Sequence, residues 1–226
     1  MSRFLDSGHL RHSDFGGELV HPHERWRQSN AEALHLFTVG HSNHAAEHFV
    51  QLLQTPQVEV LVDVRSNPDV TYLPHFARSV FIPMLQTAGI RYVFLGRELG
   101  GRPAGDEFYD ESGYVLYGQW AKSSAFHDGL NRLIRGCDRY RVAVMCSEED
   151  PANCHRRLLV GRALVLRGST VLSHIRGDGR VEIDDNQALR SLDQMQLGMF
   201  EPKGDDAWRS ARSVLRKSRP ANSSTY

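Results

Sequence analysis

The chain has 226 residues, 40% hydrophobic and 24% charged, a balance that excludes a disordered or collagen-like polypeptide and leaves room for one core-bearing domain. Lysine plus arginine and aspartate plus glutamate both number 27, so the net charge is zero and no overall field advertises a polyanion partner, although a local basic patch survives neutrality. Three cysteines (Cys137, Cys146, Cys154) and no charged-then-apolar leader argue against a secreted disulfide scaffold and for a reducing, cytoplasmic setting, and the apolar stretches are far shorter than the roughly 20 residues of a spanning helix, so no membrane is expected.

Residues 1–34 carry Ser, Gly, Asp, Glu, Arg and the histidines His9, His12, His21 and His23 without sustained periodicity, and read as an irregular arm. An α/β domain is expected over 35–185. Its first strand, Leu36 to Val39, ends at Gly40, and helical spacing of Ala46, Phe49, Val50 and Leu53 follows, with Ser42 and Asn43 as the cap. Val58 to Val62 forms a second strand ending at Asp63. Val80 to Ala88 reads as a helix whose regular part begins near Ile82, because Pro83 lacks an N–H. Tyr92 to Leu95 is a third strand ending at Gly96. Phe126, Leu130, Leu133 and Ile134 mark a helix after Ser123 and Ser124, and Arg141 to Met145 a strand ending at Cys146. The next helix carries Leu158, Leu159 and Arg162 to Leu166, with Asp150 as N-cap, Pro151 in the first helical position and Gly168 as its stop. Val171 to Ile175 is the fifth strand. A possible helix over 186–200 and a flexible tail over 201–226 complete the chain. Alternating strands and helices predict a single three-layer α/β domain, with a mostly parallel sheet of about five strands covered by helices on both faces, Rossmann-like in plan.

In open parallel sheets, ligands bind where the loops leave the carboxyl ends of the strands. The residues just past the predicted strands are Gly40, His41 and Ser42; Asp63, Val64, Arg65 and Ser66; Glu98, Leu99, Gly100, Gly101 and Arg102; and Cys146, Ser147, Glu148 and Glu149. Four loops thus deliver His, Ser, Asp, Arg, Glu and Cys to a common rim. Gly40, Gly100 and Gly101 would let backbone approach a ligand closely. Asp63 suits a metal ligand, a sugar binder or a general base. Arg65, two residues on, either pairs with it or holds a phosphate; the plain alternative is a structural ion pair.

The segment from Cys146 to Arg157 is the most informative. Cys154, His155, Arg156 and Arg157 fall in the first turns of a helix whose amino end biases a thiol toward thiolate and attracts anions. One reading makes Cys146 or Cys154 a nucleophile or redox thiol, with His155 or His41 as base. The cysteine-x5-arginine spacing of thiol phosphatases is absent, since Ala152 and Val160 stand at the arginine positions. A second makes Cys146, Cys154 and His155, with His41 or Asp63, a site for zinc or iron, although C-x7-C-H is not a zinc-finger spacing. The third keeps both cysteines as small buried residues. A Cα separation of about 5.5 Å would also permit an oxidised bridge.

Six motifs in order, Thr38 to Asn43, Val60 to Pro68, Pro74 to Phe76, Ala88 to Tyr92, Glu98 to Arg102 and Cys146 to Arg156, resemble the domain of unknown function 488 family over roughly 36–175. The resemblance implies a compact α/β domain in a cytoplasmic, prokaryotic protein, with the rim residues as the family signature, and supplies no reaction. The stretch 67–73 lacks the basic residues that family members often carry there, which removes support for an anion-binding role of that loop.

The expected function is an enzyme. His41, Asp63, Glu98, Cys146, Cys154 and His155 do the chemistry, and Gly40, Ser42, Arg65, Gly100, Gly101, Arg102 and Arg156 bind an anionic substrate. That substrate is a phosphate-bearing small molecule, a nucleotide or a nucleic-acid component. The alternative is a non-catalytic nucleotide or nucleic-acid binding module, to which Arg209, Arg212, Arg216, Lys217 and Arg219 add a basic contact. The same residues also suit a solvated helix face.

Overall fold

The computed structural model describes residues 33–69, 72–195 and 208–211. Nearly all of the expected N-terminal arm, its four histidines included, and most of the tail, including Arg212, Arg216, Lys217 and Arg219, lie outside the described residues.

Six strands form one sheet: β1 (Leu34–Gly40), β2 (Val60–Asp63), β3 (Arg91–Phe94), β4 (Val142–Cys146), β5 (Thr170–Ile175) and β6 (Val181–Ile183), in the order β3-β2-β4-β1-β5-β6. The first five are parallel; β6, which the sequence reading missed, pairs antiparallel with β5 through Ser173 opposite Ile183. At three residues, all exposed, β6 is too short and too polar in its surroundings to carry a hydrophobic signature. The four residues of β2 and the five of β4 are all buried, as strands covered on both sides must be.

The helices are α1 (Ala46–Gln54), α2 (Arg78–Thr87), α3 (Ser124–Cys137), α4 (Arg162–Arg167) and α5 (Asn186–Met195). Phe49 and Leu53 of α1 and Phe81 and Leu85 of α2 bury one face of the sheet, with Phe76 stacked edge-on to Phe49 and Phe81. Phe126, Leu130 and Leu133 of α3 and Ala163, Leu164 and Val165 of α4 join Leu36, Val60, Val62, Val142, Val144 and Leu172 in a second core on the other face. Three layers follow.

Local departures from the sequence reading have physical causes. Ala45, not Ser42 or Asn43, precedes α1, and Ser42 instead takes a positive φ of 45° in the turn after β1. Helix α2 starts at Arg78 and carries Pro83 inside it, because burial of Phe81 and Leu85 outweighs one missing hydrogen bond. Ser123 caps α3 as expected, its hydroxyl accepting from the Phe126 amide at 3.1 Å. Asp150 caps only a single 3-10 turn, Pro151–Asn153; the chain then extends at Cys154 and restarts as a π-helical segment, Arg156–Gly161, that runs into α4.

Strand order positions the site. The chain leaves β1 and β2 toward the β3 side of the sheet and leaves β3 and β4 toward the β5 side. Connections of one hand then place α1 and α2 on one face and α3 and α4 on the other, so the loops after β1 and β4 part in opposite directions over adjacent strands. A crevice belongs at such a point.

Candidate functional site

Cys146 ends β4 and Cys154 stands just before the helical restart, so both sulfurs converge on the ring of His155. The Cys146 Sγ lies 3.4 Å and the Cys154 Sγ 3.9 Å from His155 Nδ1. The two sulfurs and the ring nitrogen all lie within 4.8 Å of one another, and all three residues are buried. His155 Nε2 is 3.0 Å from the Val64 carbonyl, an acceptor only, so Nε2 carries the hydrogen and Nδ1 turns its lone pair to the sulfurs. Hydrogen bonding to Cys154, then burial, raises the Cys146 thiol well above its ordinary pKa. Burial alone would raise Cys154 too, but the hydrogen bond from Cys146 and the nearby Arg156 charge pull it well below. The remaining cysteine, Cys137 at the end of α3, is pushed up to about 12, by burial first and then by Asp138, and stays inert.

The loop after β2 supplies a second buried cluster. Asp63 accepts from the Arg65 amide (3.0 Å), from Arg65 Nε (3.0 and 3.1 Å) and Nη2 (2.6 Å), and from the Tyr92 hydroxyl (2.7 Å). Burial first, then the Asp63 charge, raises the Tyr92 phenol. Arg65 Nη1 donates to His41 Nε2 at 3.3 Å and Nη2 to the Phe76 carbonyl at 3.0 Å, while His41 Nδ1 donates to the Ser42 carbonyl at 2.9 Å. His41 stacks on Phe76 at 4.4 Å. Burial, then the Arg65 charge, lowers its pKa to about 4, so the ring is neutral at pH 7.

A third set of side chains braces the Cys146 to Cys154 loop from below. Arg156, fully buried, donates from Nη1 to the Glu148 carbonyl, from Nη2 to the Glu149 carbonyl at 2.6 Å and from Nε to Thr38 Oγ1 at 3.3 Å. The Thr38 hydroxyl donates to His174 Nδ1 at 2.7 Å, His174 Nε2 donates to Asp184 at 2.7 Å, and Arg157 Nε closes on the same carboxylate. Burial alone would raise the Asp184 carboxyl, yet His174 and Arg157 hold it below its ordinary value.

Two glycines allow this packing. A Cβ on Gly40 would lie 1.9 Å from the Glu148 carbonyl oxygen, and one on Gly101 would lie 2.7 Å from Cγ of the His155 ring. Here close approach of backbone serves a neighbouring loop. Ser66 Oγ accepts from the Arg102 amide at 2.9 Å, which ties the β2 loop to the glycine turn. Tyr117 enters from a single helical turn, Tyr117–Trp120, and shares a core with Cys146 and Cys154. Burial, then Cys154 and Cys146, raises its phenol well above the ordinary value, and among the described residues its hydroxyl has no hydrogen-bond partner.

The structure therefore brings Cys146, Cys154, His155 and Gly101 into one cluster and His41, Asp63 and Arg65 into another, joined by Val64. Gly40 and Arg156 lie behind the cysteine loop, and Gly100 packs against the Gly96 carbonyl and Ser66 Oγ. Glu98 is turned away: its carboxylate pairs with Arg132 of α3 at 3.0 Å. Ser42 is half-buried and its hydroxyl reaches only its neighbour Asn43, at 3.4 Å, while its amide donates to the Ser147 carbonyl at 2.9 Å and ties the β1 loop to the cysteine loop. Sequence reading missed Thr38, Tyr92, Tyr117, His174 and Asp184 as parts of the site, and saw Arg157 as a candidate near an anion rather than as a partner of Asp184. A histidine inside the apolar run of β5 was a usable signal for His174; the others have no mark in sequence, because their partners stand far away along the chain.

The family model described as domain of unknown function DUF488 matches residues 45–163, more than half of the chain. The chain belongs to the DUF488 family. The match is shorter at both ends than the 36–175 read from the motifs; it contains Asp63, Arg65, Cys146, Cys154, His155 and Arg156 and leaves out His41 and His174. Neither a curated protein nor a solved structure matches the chain. Among the described residues no helix is long and apolar enough to cross a membrane.

Proposed function

We propose that this DUF488 protein is an enzyme, with the strand-end crevice as its active site and a phosphate-bearing small molecule, nucleotide or nucleic-acid component as substrate. The observation that carries this reading is the convergence of Cys146, Cys154 and His155 within 4.8 Å at the carboxyl end of the central β4. Burying such groups costs stability unless each finds a partner, so a fold has no need of them at a sheet edge for its own sake.

In this reading His155 supplies the acceptor lone pair, its other nitrogen being fixed on Val64, and the sulfurs supply the thiolate that meets an electrophilic or oxygen-bearing substrate. Arg65 and Arg156 already donate to Asp63 and to loop carbonyls, so they orient the frame. Arg102, exposed beside the glycine turn and close enough for its charge to act on Tyr117, is the guanidinium on the solvent side and is assigned to the anion on that ground. A reducing compartment such as the cytoplasm suits a site that needs free thiols.

The test is a panel of nucleotides, sugar phosphates and short oligonucleotides, followed by thermal shift for binding and by mass spectrometry for conversion. At least one class is expected to be converted, with turnover falling at least about 100-fold in Cys146→Ser and Cys154→Ser and the substrate KM rising in Arg102→Ala. Turnover unchanged in both cysteine variants would overturn the reading. A ligand that binds and is never altered would instead make the domain a binding module.

A further inference from the structure

We propose that Cys146, Cys154 and His155 are three ligands of a divalent metal ion, zinc by their chemistry, held in a tetrahedral site whose fourth position is left to water or substrate. The inference deepens the reading above and rests on it only for what the fourth position does.

The arrangement carries one more sulfur than thiol catalysis uses. A nucleophile and its base are one sulfur and one nitrogen. Here two sulfurs face a single imidazole lone pair, at 3.4 and 3.9 Å. One proton at a time can sit on that lone pair, so the Cys146 thiol turns to the Cys154 sulfur, a weak acceptor for a group in a closed site. A metal ion meets all three atoms at once. With metal–sulfur bonds of about 2.3 Å and metal–nitrogen bonds of about 2.0 Å, a tetrahedral zinc places sulfur and nitrogen about 3.5 Å apart. The two observed separations bracket that value.

The surroundings agree. Cys146, Cys154 and His155 are only 6%, 1% and 5% exposed. Two thiolates and a divalent ion sum to zero, so the loaded site can be buried without an uncompensated charge. Binding puts the ion in place of the protons held on sulfur and releases them to solvent. His155 offers Nδ1 as ligand while Nε2 donates to the Val64 carbonyl, and such an outer hydrogen bond fixes the ring of a metal-binding histidine. Gly101 against the ring prevents it from swinging aside, and Arg156 pins the carbonyls of the loop that carries both sulfurs. Two sulfurs and one imidazole select zinc over magnesium or calcium. Among the described residues the cluster offers three ligands and no fourth, the pattern of a zinc that takes water or substrate oxygen. The Tyr117 hydroxyl, buried in the same core and without a partner among the described residues, would donate to that oxygen.

The test uses the full-length chain purified without a histidine tag. Elemental analysis is expected to give about one zinc per chain, and cobalt(II) added to the chelator-stripped protein is expected to show a thiolate-to-cobalt charge-transfer band with intense tetrahedral d–d absorption. Cys146→Ser, Cys154→Ser and His155→Gln should each weaken zinc at least about 100-fold, while Cys137→Ser should not change it. Tyr117→Phe should keep the metal and shift the d–d bands. A folded wild-type chain that binds less than about a tenth of an equivalent, with only the weak spectrum of octahedral cobalt(II), overturns the site even if the ligand variants fail to fold. If that metal-free protein still converts a substrate in a Cys146-dependent way, the metal site falls and the enzyme stands. Stoichiometric zinc with no substrate bound or converted gives the reverse.

Discussion

His41 shows how a single buried ring makes stability depend on the pH of the solution. Its ring is closed in by Phe76 on one side and by the Arg65 guanidinium at Nε2, so a proton arriving there meets both a dry environment and a positive charge. The folded pKa is therefore about 4, against about 6.5 in the unfolded chain. Above pH 6.5 the ring is neutral in both states and its full contribution is present. Between the two values the unfolded chain takes up a proton that the folded chain refuses, so stability drops as pH falls and that contribution is lost near pH 4. The separation amounts to about 3 kcal/mol at most. Urea unfolding at pH 7 and at pH 4.5 should show the wild type losing more stability than His41→Gln. Equal losses would mean that His41 is protonated in the fold. Asp63 sits beside it with four donors on its two oxygens and needs all of them, since a carboxylate at 0% exposure is costly when unpaired.

At the scale of elements, loops touch loops where ordinary side chains would hold them apart. The β1 loop meets the β4 loop at Gly40, where the Glu148 carbonyl leaves no room for a Cβ and itself accepts from Arg156. Gly40→Ala must push that carbonyl, and with it the loop bearing both cysteines, for a loss of about 2 kcal/mol or more. Gly168→Ala is the control: the φ of 171° is extended backbone and a Cβ there meets nothing within 4 Å. Its effect should stay within about 0.5 kcal/mol in the same urea titration. Equal effects would show that the loop yields freely. The same contrast explains what the amino-acid sequence made legible. Strand ends at Gly40, Asp63 and Cys146 were visible because apolar runs stop there, and parallel pairing carries their loops to one edge. That Gly40 and Gly101 make room for a neighbouring loop, that Arg156 holds carbonyls and that Glu98 faces α3 were not visible. Each depends on a partner outside its own helix or strand, tens of residues away for the glycines and Glu98 and one loop back for Arg156, and local periodicity carries no such information. The break at Cys154 was hidden for a related reason, since Asp150 and Pro151 carry a genuine start signal that the chain uses for one turn only.

Across the whole domain, the described stretch 208–211 fastens the turn bearing Tyr117 to the π-helical segment that follows His155. Trp208 donates from Nε1 to the Leu158 carbonyl at 2.7 Å and lies under the Arg162 guanidinium at 4.6 Å, while its own carbonyl accepts from the Gly118 amide at 3.1 Å. Ser210 trades two hydrogen bonds with the backbone of Val115, and Arg209 pairs with Asp110 at 3.0 Å. Arg209, one of the basic residues read as a nucleic-acid contact, is thus engaged within the domain. A π-helical segment is a poorer fit to its own hydrogen bonds than an α-helix and often marks a functional site, so the Leu158 carbonyl is a sensible place for an outside donor. Removing the indole in Trp208→Ala costs that donor, the cation–π contact and the packing, about 2 kcal/mol together. Hydrogen exchange should localise the change: the Gly118 amide loses its acceptor's support and the Val115 amide its Ser210 partner, so both should exchange at least about 10-fold faster, while amides of β2 and β4 follow global stability alone. Faster exchange spread evenly through the sheet would mean that the segment adds stability without holding Tyr117 in place. If acceleration stays confined to 115–118, the placement of Tyr117 in the core it shares with the two thiols depends on a contact contributed from far along the chain, and substitutions at Trp208 will act on that core from a distance.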